Sequence, residues 1–133
     1  MSGPFVFIAS YGIKPEFLDS AAERLREVAS VVEQQEPRLS SFLFYLDRDR
    51  ERTIVVQVHP DADSMATHMA IVANHIAHAW DWLDLDDSQQ LVLGTPPDVL
   101  TEYWAEFKDA LDIYPAFVAG FDRAAASTSV GRL

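Results

Sequence analysis

Four short runs rich in aromatic, aliphatic and β-branched residues lie at residues 5–13, 39–47, 53–59 and 89–93, and only the first and third gaps between them carry helical apolar spacing. Alternation with a period of two marks a strand, and recurrence every three or four residues marks a helix. Over residues 5–94 the order is therefore strand, helix, strand, strand, helix, strand. A chain with this order is predicted to be α+β, a split βαβ arrangement with an antiparallel sheet and helices on one face only.

Each boundary has a local cause. Pro15 suits the first helical position, Glu16 and Asp19 complement the positive helix end, and Leu18, Ala21, Ala22, Leu25, Val28 and Val32 form the first apolar stripe until Pro37 stops it near Glu36. The second helix is predicted to enter through an Asp or Ser cap at residues 61–64 and to run to about Leu83. Its core stripe is Met65, Met69, Val72, Ile76, Ala79 and Leu83. Runs 39–47 and 53–59, joined by the charged loop around Asp49, read as an antiparallel hairpin. Pairing Phe42, Phe44 and Leu46 with Val58, Val56 and Ile54 would gather six large apolar groups on one face. Ser41, Leu43, Tyr45, Val55, Gln57 and His59 would then share the other. That second face is still partly apolar, so a facing sheet from a second copy, a homodimer, is the economical cover.

At 133 residues, 49% of them hydrophobic, the chain reads as one domain. Its core spans about 4–95 and an extension about 96–122, with a flexible tail at 123–133. In the extension a third helix is predicted from Pro97 or Asp98, carrying Val99, Leu100, Tyr103, Trp104 and Phe107. An irregular or edge strand follows at 113–121. Tyr103 and Trp104 read as core or dimer-contact residues. There is no cysteine, so no disulfide framework, thiolate nucleophile or thiolate metal site. A formal charge of −11 repels phosphate, which argues against nucleic acid and anionic membranes as partners. Arg48, Arg50 and Arg52 alternate with Asp47, Asp49 and Glu51 and form a solvated turn. No run of about 20 apolar residues occurs and the start lacks the order of a signal peptide, so a cytoplasmic protein is expected.

All four histidines and two of the three tryptophans fall between His59 and Trp82. At about 100° per residue, His68, Ile71, His75, His78 and Trp82 share one sector beside the second helix's core stripe. This face lines a pocket or meets the extension or solvent. His68 and His75 are separated by a rise of about 10.5 Å, too far to share one ion, and His75 with His78 lacks a third ligand, so no metal is expected. Tyr11, Tyr45, Gln57 and His59 on the strands, with His78 and Trp82, are the residues expected to position a small apolar or aromatic ligand. A phosphate loop, a nucleophile elbow and a dinucleotide fingerprint are all absent.

The whole order from residue 5 to 93, with its acidic hairpin loop, the Gln57-Val58-His59 strand end, the entry at 61–64 and the His68-bearing helix, resembles the dimeric α+β barrel proteins of the antibiotic biosynthesis monooxygenase (ABM) superfamily. The resemblance implies a ferredoxin-like protomer, a homodimer with facing sheets, and a pocket between sheet and helices in each protomer. Known enzymes of the superfamily oxidise aromatic polyketides or quinols without metal or flavin, so no cofactor is implied. Relatives degrade haem, and others are not oxygenases. The family's second-helix histidine matches His68, and His75 is the second candidate base. The haem-degrading pattern is not matched, because residues 5–13 hold no asparagine and the tryptophans follow the histidines. Three functions remain open on the sequence: a cofactor-independent monooxygenase of a phenolic or quinol-like ring, a non-catalytic dimeric ligand-binding or assembly protein, and an isomerase or dehydratase on the same scaffold.

Overall fold

A computed structural model describes residues 3–105 and 110–123, without the side chains of Leu85, Val99 and Tyr103. Phe107 and the tail from residue 124 thus lie outside the described residues. The elements are β1 (Phe5–Ile13), α1 (Leu18–Gln35), β2 (Ser41–Asp47), β3 (Arg52–His59), α2 (Ala62–Ile71), α3 (Ala73–Ala79), β4 (Leu83–Leu93), α4 (Asp98–Trp104) and β5 (Leu111–Tyr114). The five strands lie in the order β2-β3-β1-β4-β5, antiparallel throughout except for the β4–β5 pair. The expected α+β architecture is the one found, with the helices on one face of the sheet.

The predicted caps work as their chemistry requires. Pro15 opens a 3-10 turn, Pro15–Phe17, that leads into α1, and Glu36 caps that helix's C-terminal end before Pro37. Asp61 Oδ1 accepts the Ser64 amide at 2.9 Å and starts α2. On the inner face Phe5, Phe7, Ala9, Val55 and Val92 pack under Met65, Leu100 and Trp104, while Ile13, Ala21, Leu25, Trp82 and Leu83 form a second cluster. Burying each of the larger side chains contributes about 1.5–3 kcal/mol. Among the described residues, no helix is long and apolar enough to cross a membrane.

Three expectations are corrected. The hairpin is paired one residue away from the predicted register: Ser41 faces Val58, Phe42 faces Gln57, Phe44 faces Val55 and Asp47 faces Arg52. A one-residue slip sends every side chain to the other face. The turn sets this register, because Glu51 takes the left-handed conformation (φ 53°) and Asp47 accepts the Arg50 amide at 3.0 Å, which closes a four-residue loop. As a result Thr53, Val55, Gln57 and His59 are buried under the helices, and Ile54, Val56 and Val58 face outward.

The second helix, predicted as continuous to Leu83, is instead divided at Val72 and ends at Ala79. Trp82 drops into the cluster beside Ala21 and Leu25, while Lys14 Nζ reaches the carbonyls of Trp80 and Asp81 at 3.2 and 3.3 Å. A lysine at such carbonyls completes a helix end electrostatically. Leu83 therefore starts β4, which has 11 residues where the sequence suggests five. The extra length includes a bulge opposite β1, between Tyr11 facing Ser88 and Gly12 facing Asp84. Gly12 leaves room there for the Asp87 carboxylate, whose Oδ2 a Cβ would approach to 2.7 Å. Arg52 holds that carboxylate at 2.7 Å.

Candidate functional site

The inner face of the sheet and the helices above it leave a cavity of about 120 Å³. One water needs roughly 10–15 Å³, so the space suits a small ring rather than an isolated solvent molecule. Its floor is a patch of sheet containing Phe42, Phe44, Val55 and Phe7, and its roof is Met69, Val72 and Ile76 from α2, α3 and the residue between them. Leu25 and Val28 of α1 close one side, and Trp80, Trp82 and Trp104 stand at the others. Trp104, 1% exposed, stacks on Phe7 with ring centroids 5.4 Å apart, and Trp80 meets Tyr11 edge to face at 5.6 Å. Apolar walls with few polar groups are the usual construction of a small-molecule site.

His68 provides the main chemical group in these walls. It is 3% exposed, and its Nδ1 lies 2.8 Å from Oε2 of Glu36, itself 7% exposed. The carboxylate can only accept, so Nδ1–H donates and the lone pair of a neutral ring is left at Nε2. Burial pushes the His68 pKa below the usual imidazole value, and the Glu36 charge and hydrogen bond pull it back up. A neutral imidazole held by a buried carboxylate is the arrangement by which enzymes keep a base ready at neutral pH.

His59 is built differently. It is 0% exposed and both ring nitrogens are engaged, Nδ1 with Ser64 Oγ at 2.8 Å and Nε2 with Gln57 Oε1 at 3.0 Å. Desolvation, helped by the neighbouring His68 ring 5.8 Å away, lowers its pKa to about 4. It therefore stays neutral, behind the cavity wall, and reaches the cavity only through Gln57.

Of the positions singled out in the sequence, His68, His75, Tyr11, Gln57 and Trp82 border the cavity. His59 supports Gln57 from behind. Tyr45 lies on the opposite face of the sheet, 60% exposed, because of the register change. His78, in the last turn of α3, points to solvent near Asp81, with its side chain 82% exposed. Trp82 reaches the cavity from the turn before β4, not from a helix face. Three contributors are not evident in the sequence. Glu36 is 32 positions from His68 and reads there only as a helix stop. Trp80 sits among residues expected to be helical, and Trp104 reads as core or dimer contact. Among the described residues, no three His, Asp or Glu side chains converge as metal ligands would.

No protein-family model matches the chain, and no curated protein matches it. Solved structures do. MupZ from Pseudomonas fluorescens superposes with a TM-score of 0.73 at 14% identity, covering 90% of this chain and 95% of that one. A structure described as an antibiotic biosynthesis monooxygenase gives 0.58 at 20% identity, covering 70% of this chain and 99% of that one. Rv0793 from Mycobacterium tuberculosis gives 0.59 at 15% identity, with 71% and 97% covered. At these identities the likeness is one of fold. It is the ABM-type α+β fold that the order of elements implied.

Proposed function

We propose that the chain is a cofactor-independent monooxygenase of a small phenolic or quinol-like ring, bound in the cavity between the sheet and the helices. The observation that carries this reading is His68, backed by the buried Glu36 carboxylate and bordering a largely apolar, aromatic-walled space. An electron-rich ring with an acidic C–H or O–H supplies its own electrons once deprotonated. The site then needs a base, a dry cavity and orientation.

In the proposed reaction His68 Nε2 removes a proton from a ring methylene activated by its neighbours, such as that of an anthrone. The carbanion passes one electron to dioxygen, and the resulting radical pair combines to a hydroperoxide on that carbon, which takes up the proton. Loss of water from it leaves a carbonyl, so that one methylene and one dioxygen become one ketone and one water. Glu36 acts as a positioning residue: it fixes the ring orientation and stabilises the imidazolium while it exists. His75, Tyr11, Gln57 and Trp82, which border the cavity, are proposed to position the ring.

The proposed working unit is a homodimer. Leu43, Tyr45, Ile54, Val56 and Val58 cover the outer sheet face, where Leu43 is 46% and Tyr45 60% exposed, and a second copy of the same sheet would bury them. Oxygen consumption with anthrones and hydroquinones, followed by mass analysis of the product formed under ¹⁸O-labelled dioxygen, tests the activity. One labelled oxygen atom per product is expected, and no consumption above the buffer rate with any of these rings would refute it.

A further inference from the structure

The buried Ser64–His59–Gln57 chain fixes the hydrogen-bonding polarity of the cavity. Gln57 turns its amide oxygen toward His59 Nε2 at 3.0 Å, so that nitrogen carries the imidazole proton. The other nitrogen, Nδ1, then accepts the Ser64 hydroxyl at 2.8 Å. Gln57 borders the cavity whereas His59 does not. The amide nitrogen is therefore the end of Gln57 left for the cavity, and no hydrogen bond engages it among the described residues. An amide reversed by 180° would present an oxygen instead. The buried imidazole opposes that reversal, because its Nε2–H would then face another donor.

Gln57 and His68 also stand near one another. Phe42 is the cross-strand partner of Gln57, and its ring lies 5.4 Å from that of His68. The cavity wall thus offers both a donor, the Gln57 amide, and an acceptor, His68 Nε2.

We infer that the ligand carries a carbonyl or phenolate oxygen that accepts a hydrogen bond from Gln57, with the acidic hydrogen directed at His68. His59 is a positioning residue that selects this ligand class by locking the Gln57 amide. This deepens the oxygenase reading, on which the role of His68 rests, but the polarity of Gln57 stands without any turnover.

Two measurements test it, both made without turnover. In the ligand-free wild-type protein, two-bond ¹H–¹⁵N correlations of the imidazoles report the tautomer of His59. A proton on Nε2 is expected, and a proton on Nδ1 overturns the inference. The second measurement is binding of 1,4-naphthoquinone and of naphthalene, followed by quenching of the cavity tryptophans; the chain has no cysteine for the quinone to alkylate. The quinone should bind about tenfold more tightly than naphthalene, as one net hydrogen bond allows. Gln57→Met should abolish that preference while leaving naphthalene binding within about a factor of two. Equal binding of both probes by the wild type, no binding of either, or a preference retained in Gln57→Met overturns it. Should Gln57→Met fail to fold, the tautomer and the wild-type preference still decide. Intact quinone preference without oxygen consumption would reject the oxygenase and leave this inference standing.

Discussion

Acidification should weaken the fold largely through one imidazole. His59 is fully buried, and desolvation, aided by the charge of a protonated His68 and by Arg38 and opposed by Asp61, lowers its pKa from 6.5 to about 4. In the unfolded chain the same ring takes up its proton near 6.5. Between these values the unfolded state binds more protons than the folded one, so stability rises with pH across that window. The contribution is complete above about pH 6.5 and is lost as pH falls toward about 4. Its slope approaches about 1.4 kcal/mol per pH unit and its total is about 3 kcal/mol. His68 acts in the same direction, since its pKa is also lowered by burial. Near the lower end, protonation of carboxylates relieves the charge of −11 and acts the other way, so the wild-type curve alone is not diagnostic. Urea unfolding of the wild type and of His59→Phe, at one protein concentration and at several pH values from neutral to about 4, separates the terms. The variant leaves Ser64 and Gln57 without their ring partner and should be weaker near neutrality by about 1–3 kcal/mol. The difference between the two proteins should then move by about 3 kcal/mol in the variant's favour as pH falls through the window, closing or reversing the gap. A difference that stays constant across it would refute the assignment of His59 as a buried neutral ring.

Four further outcomes are expected. Gly12→Ala places a Cβ against Asp87 Oδ2, the end of an exposed side chain that can turn aside at the expense of its Arg52 ion pair, and should destabilise by no more than about 1 kcal/mol in urea unfolding; a loss of several kcal/mol would contradict it. Gln90 is buried with an amide oxygen that meets no donor, so Gln90→Leu should leave the melting temperature level or higher, and a fall of several degrees would count against that reading. Val56→Glu, in the middle of the outer sheet face, should yield monomers in sedimentation velocity while the wild type sediments as a dimer; a monomeric wild type would remove the proposed dimer. Tyr45→Ala should leave quinone binding within about a factor of two, because Tyr45 lies on the face opposite the cavity, and a tenfold loss would place the ligand elsewhere.

The order of elements was legible because its punctuation is chemical: Pro15 and Pro37 bound the first helix, and Asp61 caps the second. The hairpin register was not. The run from Asp47 to Arg52 is compatible with loops of different length, and the left-handed Glu51 that decides the matter is a non-glycine residue with no sequence signature for that conformation. That single residue parted Tyr45 from Gln57 and His59, which the sequence reading put on one face of the sheet. Helical spacing put His68 and His75 on one face, and both border the cavity, lying before or just beyond the division at Val72. It did not foresee that Lys14 and the cluster around Leu25 end the helix at Ala79, so that Trp82 borders the cavity from a turn while His78 faces solvent. Glu36 could not be paired with His68 from sequence, because their contact is made by packing α1 against α2. An acidic residue at a helix end beside a proline was the available signal.

The role of His68 is tested most directly by oxygen consumption on one anthrone with three proteins: wild type, Glu36→Gln and His68→Ala. Saturable consumption is expected for the wild type, and the buffer rate for His68→Ala. At about 4 Å between charge centres and an effective dielectric of about 20, the carboxylate stabilises an imidazolium by up to about 4 kcal/mol. Glu36→Gln should therefore lose as much as about a thousandfold in kcat/KM while remaining folded by circular dichroism. Consumption by His68→Ala equal to that of the wild type would contradict the assignment of His68 as the base.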